Sequence, residues 1–156
     1  MSYSELLHRV QSLPPIQIYD FTEAGFSVIR TDEIADLAQQ IVITDANRAE
    51  GESLCGLQIL EWGRLAAHSS KMLDIAERKF RKFKAEIAMG LINEAKDGKG
   101  KAPTEKQLEA AYRDHPLYDS YNEVIECTKE SFMCCQVLVD ALKAKRDMLR
   151  KNPSMT

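Results

Sequence analysis

From Ile16 to Ala102 the chain holds no proline, so a continuous helix can form anywhere within that stretch. Leu54, Leu57, Leu65, Met72, Ile75, Ala76, Phe83, Ile87 and Leu91 recur there at steps of three and four residues or their sums. Such spacing gathers apolar side chains on one side of a helix. A helix over about 53–97 would run for more than about ten turns, long for a globule and ordinary for a coiled coil. Gly51, Gly56, Gly63 and Gly90 each weaken it by about 1 kcal/mol relative to Ala, which leaves a break near Gly51–Gly56 as an alternative.

The segment Asp97-Gly-Lys-Gly-Lys-Ala-Pro103 reads as a linker. Thr104-Glu-Lys-Gln107 then matches a capping box and starts a short helix of about 104–113. That helix ends at His115-Pro116, because the residue before proline is pushed out of the helical region. A last helix is expected over about 116–151. In it Tyr118, Tyr121, Ile125, Thr128, Phe132, Cys135, Val139, Leu142, Arg146 and Leu149 follow one another at steps of three and four. A seam this long needs a partner, either residues 53–97 of the same chain, another copy, or both.

Residues 1–44 carry no steady period. Ser4–Leu13 suits a short helix stopped by Pro14-Pro15, and Ile16–Asp20 and Phe26–Arg30 read as short extended pieces around Gly25. Thr31, followed by Asp32-Glu33, is the expected start of a further helix. Gln40–Thr44 (QIVIT) suits either that helix or a third strand. The expected architecture is all-α: a long antiparallel helical hairpin or coiled coil with a short connecting helix. It comprises an N-terminal arm (1–44), partly extended or with short helices, and a helical domain (45–156).

Composition narrows the class. A chain of 156 residues, 44% hydrophobic and 29% charged, suits a single globular domain. No run of about 18 apolar residues is present, so no membrane partner is expected, and the N-terminus shows no secretory pattern. Cys55, Cys127, Cys134 and Cys135 form no CxxC pair, which fits reduced thiols in a cytoplasmic protein, and no cofactor or metal is implied. Catalytic signatures such as HExxH, GxSxG and GxGxxG are absent. Glu123, Glu126 and Glu130 lack a histidine three residues on, so they read as solvated charges and the chain as a non-enzyme.

The charge is unevenly placed. Residues 1–61 hold 3 basic and 10 acidic side chains, whereas 62–101 hold 10 basic and 5 acidic. On a helix, Arg64, Lys71, Arg78 and Lys82 form one row opposite the apolar side, about 27 Å long at ~1.5 Å per residue. Lys79, Arg81 and Lys84 cluster beside it in Glu77-Arg-Lys-Phe-Arg-Lys-Phe-Lys84. Such a row can follow a phosphate backbone, and it is also what any solvated helix face shows. Phe80 and Phe83 point with the apolar side, which favours core packing over base stacking. Trp62, Tyr112, Tyr118 and Tyr121 suit interface anchoring or stacking, with packing favoured. Lys96, Lys99 and Lys101 add charge around the linker.

In layout, residues 45–151 resemble the UvsY-type recombination mediators of T4-like bacteriophages. The likeness rests on the leucine-bearing helix Leu54–Leu65 leading into Lys71–Lys84, the segment PTEKQLEAAYRDHPLY (Pro103–Tyr118), and the closing DALKAKRDMLRK (Asp140–Lys151). Residues 1–44 depart from that family's pattern. The resemblance implies a non-enzymatic single-stranded-DNA-binding protein, in a bacterial or infected host cell. It would help a RecA-like recombinase displace single-strand-binding protein. Carried over by position, Arg64–Lys84 would contact the strand. Tyr121, Ile125, Phe132, Val139, Leu142 and Leu149 would hold a homo-oligomer together. The alternative is a helical oligomeric structural or adaptor protein without nucleic-acid binding.

Overall fold

A computed structural model of the chain describes residues 2–23, 25–44, 48, 51–98 and 100–151. Its elements are α1 (Tyr3–Gln11), β1 (Ile16–Thr22), β2 (Gly25–Asp32), α2 (Ile34–Ile41), α3 (Gly51–Asp97), α4 (Glu105–Asp114) and α5 (Tyr118–Lys151). Of the described residues 76% are helical, with α3 packed against α5, but the β1–β2 hairpin corrects a purely all-α description. Two compact units are present: Met1–Met72 with Thr128–Thr156, and Leu73–Cys127. Residues 1–44 do not stand apart as an arm, since Val10, Ile16, Ile18, Leu37 and Ile41 share one core with Trp62, Leu138 and Leu142.

In the first unit the helix α5 is buried along two stripes. The expected seam is there, with Thr128, Cys135, Val139, Leu142 and Leu149 all buried. This stripe meets α3, where Gly51 lies under the Leu149 side chain and the Ser69 hydroxyl sits beside the Cys135 thiol. A second stripe, Ser131, Cys134, Leu138, Ala141 and Lys145, follows the same three-four step and is equally buried. Residues 1–44 cover it. The Ser131 hydroxyl donates to the Gln17 carbonyl of β1, and Lys145 Nζ donates to the Gln40 carbonyl of α2 at 2.7 Å.

Local chemistry explains the N-terminal elements. Ser2 and Glu5 form a capping box that starts α1, and Leu6 and Val10, one turn apart, bury its inner face. Tyr3 Oη donates to the Ile41 carbonyl at 2.6 Å and accepts from the Ile43 amide at 3.2 Å, which ties α1 to the end of α2. Burial raises the Tyr3 pKa and keeps the phenol a donor. Ile16 and Ile18 alternate inward along β1. The hairpin closes at Gly25, whose φ of 107° is one that side chains with a Cβ rarely adopt. Ile18 pairs with Arg30 and Tyr19 with Val28, so Ile29 is an extra, bulged residue on β2.

Several expectations change here. Thr31 does not begin a helix, because Thr31 and Asp32 complete β2 and α2 starts after Glu33 without a side-chain cap. Gln40 and Ile41 are helical, which removes a third strand over Gln40–Thr44. The helix α3 runs unbroken through Gly56, Gly63 and Gly90, so tertiary packing outweighs their helix penalty. Lys99 of the expected linker lies outside the described residues.

The second unit comprises Leu73–Cys127. Phe83 is its buried centre, with Tyr121 stacked at 4.6 Å and His115 edge-on at 4.8 Å. The expected Thr104–Gln107 capping box forms, with both reciprocal hydrogen bonds. His115 ends α4 in extended geometry, as its position before Pro116 requires.

Two measurements check this core. Leu142→Ala, at a fully buried position, should cost about 2–5 kcal/mol in urea denaturation followed by circular dichroism. Burial pushes the Cys134 thiol up to about 11 and the Cys135 thiol up to about 12, against an ordinary 9.0. The folded chain therefore holds protons that the unfolded chain releases above pH 9. Stability should fall between pH 9 and about 11–12, by roughly 1.4 kcal/mol per pH unit for each thiol.

Candidate nucleic-acid interface

The inward positions of α3 are spaced seven apart: Cys55, Trp62, Ser69, Ala76 and Phe83 are all buried. Leu54 and Leu57, expected inside, are instead 39% and 66% exposed, and Leu60 is 54% exposed. The inner row is hard to see in the sequence because cysteine, serine and alanine carry little hydrophobic signal. Trp62 is a core residue, with the Arg30 guanidinium 5.1 Å above its ring. Arg30 also pairs with Asp32 at 2.6 Å and Glu61 at 2.9 Å, and the Asp32 hydrogen bond raises its pKa further above the ordinary guanidinium value.

Within the second unit, Ala76 and Phe83 set the rotation of α3, and that rotation turns the expected cations outward. Arg78, Lys79, Arg81 and Lys82 are exposed, and Lys84 is half-buried. Arg78 Nε donates to the Asp74 backbone carbonyl of its own helix, at 3.4 Å. Among the described residues, Arg78, Arg81 and Lys82 form no ion pair with a carboxylate. Lys84 turns sideways, with its ammonium 4.3 Å from the Phe80 ring centre and 5.8 Å from that of Tyr112. This ammonium held between two rings is the feature that sequence reading missed. The step from residue 80 to residue 84 suggests the first contact, but no local spacing brings Tyr112 to it.

Arg64 and Lys71 belong to the first unit, where both are exposed and neither is in an ion pair among the described residues. The proposed oligomerisation residues are engaged inside the chain. Tyr121 stacks on Phe83, and Phe132 packs against the first unit's core. Ile125, Val139, Leu142 and Leu149 are buried in the single chain. Of the two partners a long seam can take, the structure shows the same chain.

Other chemistry is sparse. The Cys134 and Cys135 thiols are held protonated at neutral pH by burial, far from a nucleophile's requirements. Lys145 is buried and its pKa is lowered by that burial, while the nearby Cys55 thiol acts in the opposite sense. Its hydrogen bond to Gln40 gives it a capping task at the end of α2. Glu123, Glu126 and Glu130 are exposed. An open groove of about 470 Å³ on α4 is lined by Glu105, Lys106, Glu109, Ala110 and Arg113. Its two acids and two bases favour no single ligand charge. Among the described residues no helix is long and apolar enough to cross a membrane.

Because Arg78→Glu with Lys82→Glu lines up acids at four-residue steps from Asp74 to Glu86, it should cost about 1–2 kcal/mol in urea denaturation and leave the chain folded, since both positions are exposed. Comparison with family models, with curated proteins and with solved structures finds no match to this chain.

Proposed function

We propose that the chain is a non-enzymatic protein that binds single-stranded DNA and assists a RecA-like recombinase, using α3 of the second unit as its strand contact. The supporting observation is the run Arg78–Lys84, with five cations in seven residues and no acid among them. Four of the five are exposed. A net charge of −3 does not oppose this, because local potential rather than the total governs phosphate binding. The recombinase and single-strand-binding protein as partners rest on the UvsY-type layout of residues 45–151.

A second reading, a helical adaptor that binds proteins alone, draws on a different observation. Leu54, Leu57 and Leu60 present exposed apolar surface on the start of α3 in the first unit. Such a surface suits a protein contact.

Fluorescence anisotropy with a labelled thymidine oligonucleotide separates the two. The DNA-binding reading expects affinity that falls with salt, by about 0.7 log units per decade for each phosphate neutralised. It also expects at least about tenfold weaker binding by Arg78→Glu with Lys82→Glu, a change of ~1.4 kcal/mol. Salt-independent binding, or none, would leave the adaptor reading in place.

A further inference from the structure

We propose that Tyr112 and Tyr118 of the second unit are base-stacking residues, and that they make the interface select unpaired bases over paired ones. This inference rests on the DNA-binding reading and deepens it. Cations alone attract any polyanion, duplex included. Selecting a single strand needs surfaces that only an unstacked base can meet, and aromatic faces beside a basic row provide them.

The second unit has such faces. Phe83 is buried and forms the floor of an aromatic group, with Tyr121 and His115 packed directly on it. Phe80, Tyr112 and Tyr118 are only half-buried. The Phe80 ring is occupied by neighbours, with Phe83 at 6.1 Å, Tyr118 at 5.6 Å, Tyr121 at 6.0 Å and the Lys84 ammonium at 4.3 Å. Among the described residues Tyr118 has one ring neighbour, Phe80, and Tyr112 has the Lys84 ammonium at 5.8 Å. Each tyrosine retains solvent-facing surface beside its neighbour.

Phe80, which neighbours Tyr118, adjoins Arg81 in sequence, and Lys84, which neighbours Tyr112, lies one turn further along α3. A strand with a phosphate on Lys84 has its bases beside these rings. In a duplex the same base faces are covered by neighbouring base pairs.

The test uses the full chain and anisotropy with three labelled probes of equal length: a thymidine oligonucleotide, an abasic strand with the same phosphates, and a duplex. The parent should bind the thymidine strand about tenfold or more above the abasic strand and the duplex. Tyr112→Leu with Tyr118→Leu should remove that preference while leaving abasic-strand affinity unchanged. Tyr112→Phe with Tyr118→Phe, which keeps both rings, should retain it.

Equal binding of thymidine and abasic strands by the parent would overturn the inference and leave phosphate-driven DNA binding standing. Binding of neither strand would remove both. Loss of abasic-strand binding in the leucine variant would assign the tyrosines to packing and overturn the inference as well. The parent's own comparison of probes decides the matter even if the leucine variant does not fold.

Discussion

The first unit depends on one helix being buried on two sides. α5 carries two adjacent stripes at the same three-four step, one against α3 and one against the N-terminal elements. A helix with a single apolar stripe needs one partner, whereas this one needs two. The polar members of the second stripe make specific contacts as well. Ser131 reaches the carbonyl of Gln17, and Lys145 reaches the penultimate residue of α2. Each satisfies a backbone acceptor that burial would otherwise leave unpaired at a cost of about 1–3 kcal/mol. Lys145 bears a desolvation penalty for this, seen in its lowered pKa.

The hairpin is held by the same logic. The Gln17 and Tyr19 carbonyls lie two residues apart on β1, and both are met by side chains from helices. Ser131 donates to the first and His68 Nε2 donates to the second at 2.8 Å. A two-stranded hairpin is marginal on its own in water. Here helices supply both its apolar cover and the partners for its backbone.

Much of the helical layout was legible in the residues, because a period near 3.6 survives in any context. The Thr104 box, the stop at His115-Pro116, the long α3 and the α5 seam all follow from local chemistry. The cations Arg78, Arg81 and Lys82 were legible for the same reason, since once α3 forms they lie away from Ala76 and Phe83. The rotation of α3 near its start was not legible. Leu54 and Leu57 look like core residues, but Cys55 and Trp62 occupy the inside, because Trp62 fills space that leucine would not. The second stripe on α5 was also hidden. Serine, cysteine, alanine and lysine at core spacing look like surface until the residues that cover them are known.

By itself, then, the order of residues determined where α4 begins and ends, which side of α5 forms one seam, and where positive charge collects. Those properties are set by interactions within about one helical turn. Only the tertiary structure decided that residues 1–44 close the second side of α5, that Lys145 is a buried cap, and that Tyr112 meets Lys84. Each of these joins side chains far apart in sequence. Their energies depend on burial and on backbone partners supplied from elsewhere in the chain, and no local pattern carries that information.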